Sequence, residues 1–120
     1  MDIETFRNYC LSKKGVTEDL PFGPDTLVFK IMGKMFALAS LDEVPLKVNL
    51  KCDPEGSLIL REEYPAWILP GYHMNKKHWN SLVLDGNLQK SLVFRLVDQS
   101  YDLVLQALPK KLQQELKASK

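Results

Sequence analysis

The chain is short of most features that would announce a chemistry. It has no G-x-S-x-G, Walker or dinucleotide glycine pattern and neither the HExxH nor the CxxC spacing, so the common nucleophile, nucleotide and zinc signatures are missing. Its two cysteines, Cys10 and Cys52, lie far apart, as expected of small buried apolar groups in a reducing compartment rather than a disulfide or metal pair. No apolar run nears the roughly 20 residues that span a bilayer. The first residues, MDIETFRNYC, lack the basic and apolar regions of a signal peptide. The expected location is therefore cytoplasmic, with no membrane partner. Basic excess is absent too: 16 Lys and Arg nearly cancel 15 Asp and Glu, for a net charge of +1. Nucleic-acid binders draw much of their affinity from phosphate neutralisation. Any such site here must come from local segregation of charge, and its binding would be weak and salt-dependent.

One stretch has that segregation. From Tyr64 to Leu84 there is no acidic residue, and the only formal charges are Lys76 and Lys77. Within it, Pro70 to Gly86 holds both histidines (His73, His78), Trp79 and a closing Asp85-Gly86 turn signal. Asn75 suits the start of a tight turn through the lysines. Lys76 and Lys77, flanked by Asn75, Asn80, His73 and His78, form the candidate nucleic-acid-binding set, with Lys34 on an earlier turn as a second wing. Tyr72 and Trp79 could stack on bases, although Trp79 fits the core better. The plain alternative is that two lysines on a hairpin tip keep a sheet edge soluble. His73 and His78, five apart, could meet across the turn, but a metal needs a third and fourth ligand. Hydrogen bonds from their rings to carbonyls that pin the turn are the better expectation. No metal, cofactor or catalytic residue is expected, and an enzyme is not.

The remainder reads as one domain over 1–120, long enough to bury about two-thirds of the surface of its unfolded chain. An apolar fraction of 45% with 26% charged residues fits a soluble globular protein. Asp2 caps a first helix with Ile3, Phe6 and Cys10 on one face, and Gly15 stops it. Thr17 to Asp25 reads as a loop. Thr26 to Met32 and Met35 to Ala39, split by Gly33-Lys34, read as a hairpin. Leu46 to Lys51 alternates as a strand. Asp53-Pro54-Glu55 opens a helix to about Glu63 that should bury Leu58 and Ile59. Tyr72 to Met74 should extend, and His78 to Leu84 should form a strand. A long helix from about Leu88 to Leu108 is apolar over about 220° of arc, too wide for one sheet surface. It must also meet another helix or a partner subunit. Lys110 to Lys120 makes a short, mostly exposed terminal helix. The expected order is α-β-β-β-α-β-β-α-α, an α+β domain with helices packed on an antiparallel sheet.

The chain resembles the MmcQ/YjbR family. The residues that carry the likeness are Pro70, Tyr72, His73, Asn75, Lys76, His78 and Trp79, then Asp85-Gly86 and Ser100-Tyr101. The Gly33-Lys34-Met35-Phe36-Ala37 turn and Leu108-Pro109 agree as well. The resemblance implies a small α+β fold, related in shape to secretion chaperones, with a double-wing arrangement and a DNA-binding role. The rival expectation is a protein-interaction or chaperone-like module, or a homodimer. It would use the wide apolar face of the long helix with Trp67, Ile68 and Leu69.

Overall fold

The computed structural model describes residues 1–119. Ten elements follow in order: α1 (Ile3–Leu11), β1 (Val16–Asp19), β2 (Thr26–Ile31), β3 (Lys34–Ser40), β4 (Leu46–Lys51), α2 (Pro54–Glu63), β5 (Ile68–Pro70), β6 (Trp79–Leu84), α3 (Lys90–Ala107) and α4 (Lys110–Ala118). The strands form one antiparallel sheet in the order β1-β2-β3-β4-β6-β5. This is the expected α+β order with one strand added at the margin. Among the described residues, no helix is long and apolar enough to cross a membrane.

The added strand lies in the stretch read as a loop. β1 has only four residues, two of them acidic, and its alternation is too short to register by itself. It forms because Val16 and Glu18 turn toward α1, where Arg7 grips the Glu18 carboxylate through Nε at 2.7 Å. The β2–β3 turn is left-handed at both central residues, Met32 (φ 48) and Gly33 (φ 84), which matches the twist of the flanking strands.

One face of the sheet carries the main core. Phe29 and Ile31 of β2, Ala37 and Ala39 of β3, Val48 and Leu50 of β4, and Leu82 and Leu84 of β6 are buried beneath α1 and α3. Most of the wide apolar arc of α3 is buried within the chain. Phe94 stacks on Tyr9 of α1 with ring centroids 3.8 Å apart, and the Tyr101 hydroxyl donates to the Lys14 carbonyl at 2.6 Å. Leu108 and Leu116 join the same core, so α4 packs onto it. Ser100 does something more specific. Its hydroxyl accepts from Lys51 N–H at 2.8 Å and donates to the Phe36 carbonyl. It thereby bridges β3 and β4 where their own ladder has ended at Ala37 and Leu50.

Two expectations are corrected. In α2, Leu58 and Ile59 are 63% and 55% exposed. The inward stripe is instead Ser57, Leu60, Arg61 and Tyr64, at i, i+3, i+4 and i+7, so the adjacent apolar pair falls off it. Tyr72 to Met74 does not extend. The strand lies just before it, at Ile68–Pro70, and His73 adopts φ 59 in a turn.

Candidate nucleic-acid interface

The register of the sheet decides where the cations sit. Ala37 faces Leu50, and Leu50 faces Asn80. The start of β3, the end of β4 and the start of β6 therefore share one end of the sheet. That end presents Lys34, Lys51 and the β5–β6 loop with Lys76 and Lys77. The strands that carry Lys34 and the loop, β3 and β6, are two strand spacings apart, roughly 10 Å. Lys34, Lys76 and Lys77 are exposed, and among the described residues none lies within ion-pair distance of a carboxylate.

The loop is held firmly. Gly71 N–H donates to the Trp79 carbonyl at 2.9 Å, and the backbones approach so closely that a Cβ at Gly71 would lie 2.7 Å from Trp79 Cβ. Tyr72 N–H donates to Ser81 Oγ at 3.0 Å. Asn75 makes the tight turn expected of it: its Oδ1 accepts from Lys77 N–H at 2.9 Å, and its carbonyl accepts from His78 and Trp79 N–H. Arg61 of α2 completes the restraint. It donates to the carbonyls of Lys76 and Trp79, and to Asn80 Oδ1 at 2.8 Å. Sequence reading missed Arg61. Its only trace was its place on the inward stripe of α2.

The candidate residues do not all converge. Asn80 is 2% exposed with its amide oxygen engaged by Arg61, so it supports the loop from below and cannot meet a ligand. Strand alternation turns it toward the core face, opposite Leu50. His78 is half-buried, and its carbonyl accepts from Cys52 N–H. His73 is exposed and packs its ring on Tyr72, centroids 3.9 Å apart. Among the described residues neither imidazole bonds to a carbonyl; Asn75, Ser81 and Arg61 pin the turn in their place. Among the described residues, no group of three or more His, Cys, Asp or Glu side chains gathers that could hold a metal ion. Burial pushes the thiols of Cys10 and Cys52 above their usual range.

The other sheet face is only partly covered. Met74 of the loop packs with Met35 over Val28, Leu38 and Trp79, which confirms Trp79 as a core residue. Beyond this patch lies an open cleft of about 710 Å³. Its floor is the transverse row Leu38, Asn49 and Ser81, directly opposite one another on β3, β4 and β6. Tyr72 and His73 stand at the lysine end. Phe22, from the β1–β2 loop, stands diagonally across, with Asp42 and Glu43 at the same far end.

The arrangement defines a class: an α+β domain whose helices cover one sheet face, leaving the other with a cleft and a cationic loop. The chain belongs to the YjbR family, whose model matches residues 11–103. It is 43% identical to YbdF of Escherichia coli O157:H7 over 95% of this chain and 93% of that protein. It is 32% identical to YjbR of Escherichia coli K12, covering 91% and 92% of the two. Both relatives are described without an activity. Among solved structures, DR2400 of Deinococcus radiodurans, a DUF419 domain, superposes with a TM-score of 0.91 at 38% identity, covering 98% of this chain and 88% of that one. A Pseudomonas syringae protein gives 0.75 at 29% identity, with 86% and 98% covered.

Proposed function

We propose that this protein is a non-enzymatic DNA-binding protein of the cytoplasm that holds phosphates with Lys76 and Lys77, and with Lys34 as the second wing. The observation that carries this reading is the pair of exposed ammonium groups with no carboxylate partner among the described residues, on a loop whose backbone is fixed by Arg61, Asn75 and Gly71. A rigid loop loses little conformational freedom on binding. The near-neutral whole keeps affinity low, within the non-specific range of about 1–100 µM at physiological salt. Two free buried thiols accord with a reducing compartment, and their raised pKa leaves them poor nucleophiles.

Fluorescence anisotropy against a random duplex, over a salt series, tests this. Lys76→Ala/Lys77→Ala should weaken binding and flatten the log–log salt slope by about 2, with thermal stability unchanged. A double variant that binds as wild type does would end the proposal. The second reading, a protein-interaction module, loses Ile68 and most of the α3 face to burial and draws instead on exposed Leu69, Phe22, Val44, Leu58 and Ile59. Contacts of that kind would persist at high salt, where phosphate contacts fail.

A further inference from the structure

The cleft on the open sheet face lies outside the phosphate contacts and has its own chemistry. Phe22 and Tyr72 are 64% and 69% exposed, so neither ring contributes a full share to the core, yet both line one depression. Leu38 and Ser81 lie almost buried in the floor, and the half-buried Asn49 amide between them is its accessible polar group. Ser81 Oγ donates to Asn49 Oδ1, while Asn49 Nδ2 reaches the Tyr72 carbonyl at only 3.5 Å. That contact is longer than a good amide hydrogen bond, so the Asn49 amide is readily released to another acceptor. Flat rings at the rim and an amide at the floor suit a planar heterocycle with polar edges better than an aliphatic chain.

Charge sets the ligand's orientation. Lysines stand at the end that carries Tyr72. The far lip bears Asp42 and Glu43, the latter 3.8 Å from Lys47. An anionic backbone is drawn to the first and repelled by the second. We infer that the cleft receives an unpaired nucleobase, stacked against Tyr72 or Phe22, while the same strand's phosphates lie along Lys76, Lys77 and Lys34. The preferred ligand is then single-stranded nucleic acid, because a base in a duplex cannot offer its face to the cleft. This rests on the phosphate reading above and adds the strand state to it.

The test is anisotropy at low salt with four labelled probes of one length: single-stranded DNA, single-stranded RNA, an abasic strand and a duplex. Base-bearing single strands should bind about tenfold more tightly than the abasic strand or the duplex. The DNA and RNA arms tell which sugar is favoured. Tyr72→Ala should lose about tenfold on base-bearing strands and leave the abasic probe unaffected. Phe22→Ala, on a separate loop, should act in the same direction, and both variants should keep the wild-type thermal midpoint because the rings are exposed. Equal affinity for all four probes, lost together in Lys76→Ala/Lys77→Ala, would overturn the cleft and leave the phosphate reading standing. Binding to none of them would overturn both.

Discussion

Gly71 is a residue whose side chain is fixed by what is not there. A methyl group at this position would lie 2.7 Å from Trp79 Cβ and 2.9 Å from the Trp79 carbonyl oxygen. The obstacle is strand backbone, which cannot swing aside as the tip of a side chain can. Gly71→Ala should therefore destabilise the protein by about 1–3 kcal/mol, the usual range for overpacking. It should also shift the lysine loop and weaken nucleic-acid binding, although it removes no charge. Urea denaturation reads the first effect and anisotropy the second; an unchanged midpoint would mean that the loop is free to move. The neighbouring candidates show how position overrides residue type. Asn75 and Asn80 are chemically alike, but one makes the turn and the other accepts from Arg61 inside the fold.

At the level of elements, Ser100 is where α3 and the sheet are joined by polar bonds. With the hydroxyl removed, Lys51 N–H and the Phe36 carbonyl lose their shared partner. Ser100→Ala should cost about 2 kcal/mol, since unsatisfied buried groups carry their full desolvation penalty. Amide exchange at Lys51 should accelerate more than at its strand neighbours, and uniform exchange along β4 would contradict this account. Elements with their own periodicity were legible in the sequence: α1, the β2–β3 hairpin, β4, β6 and α3. Those that depend on distant partners were not. β1 needs Arg7 and the edge of β2, and the buried stripe of α2 is set by its docking rather than by its most apolar residues. The site divides in the same way. Lys76, Lys77 and Lys34 stood out as local charge, whereas Arg61 and Phe22 come to the loop and the cleft from remote segments.

For the molecule as a whole, pH dependence follows from a few tethered groups. Hydrogen bonds from Thr5 N–H to Asp2, from the Arg7 side chain to Glu18, and from Asn87 N–H to Asp85 each hold a carboxyl below its ordinary value. Their stabilisation is fully present above the unfolded values, 3.8 for Asp and 4.5 for Glu, and is lost as pH falls through the lowered folded ones. Tyr9 works in the opposite direction. Burial, then its bond to Asp98, pushes it from 10.0 up to about 12, so its contribution fades only as pH rises through that range. Thermal midpoints should be level from neutrality to about pH 5 and fall below it. Glu18→Gln should make the acid limb shallower, and a midpoint that declines already between neutrality and pH 5 would point to other groups. The charge map holds one more consequence, in the guanidinium that fastens the loop. Arg61 bonds to two carbonyls and an amide, all neutral, and among the described residues has no carboxylate within ion-pair distance. Its positive charge therefore stays uncancelled against the backbone of the loop that carries the two lysines. Stripping both lysines leaves this cation beneath the loop, and the attraction that survives in such a variant comes from the fastening itself as well as from Lys34.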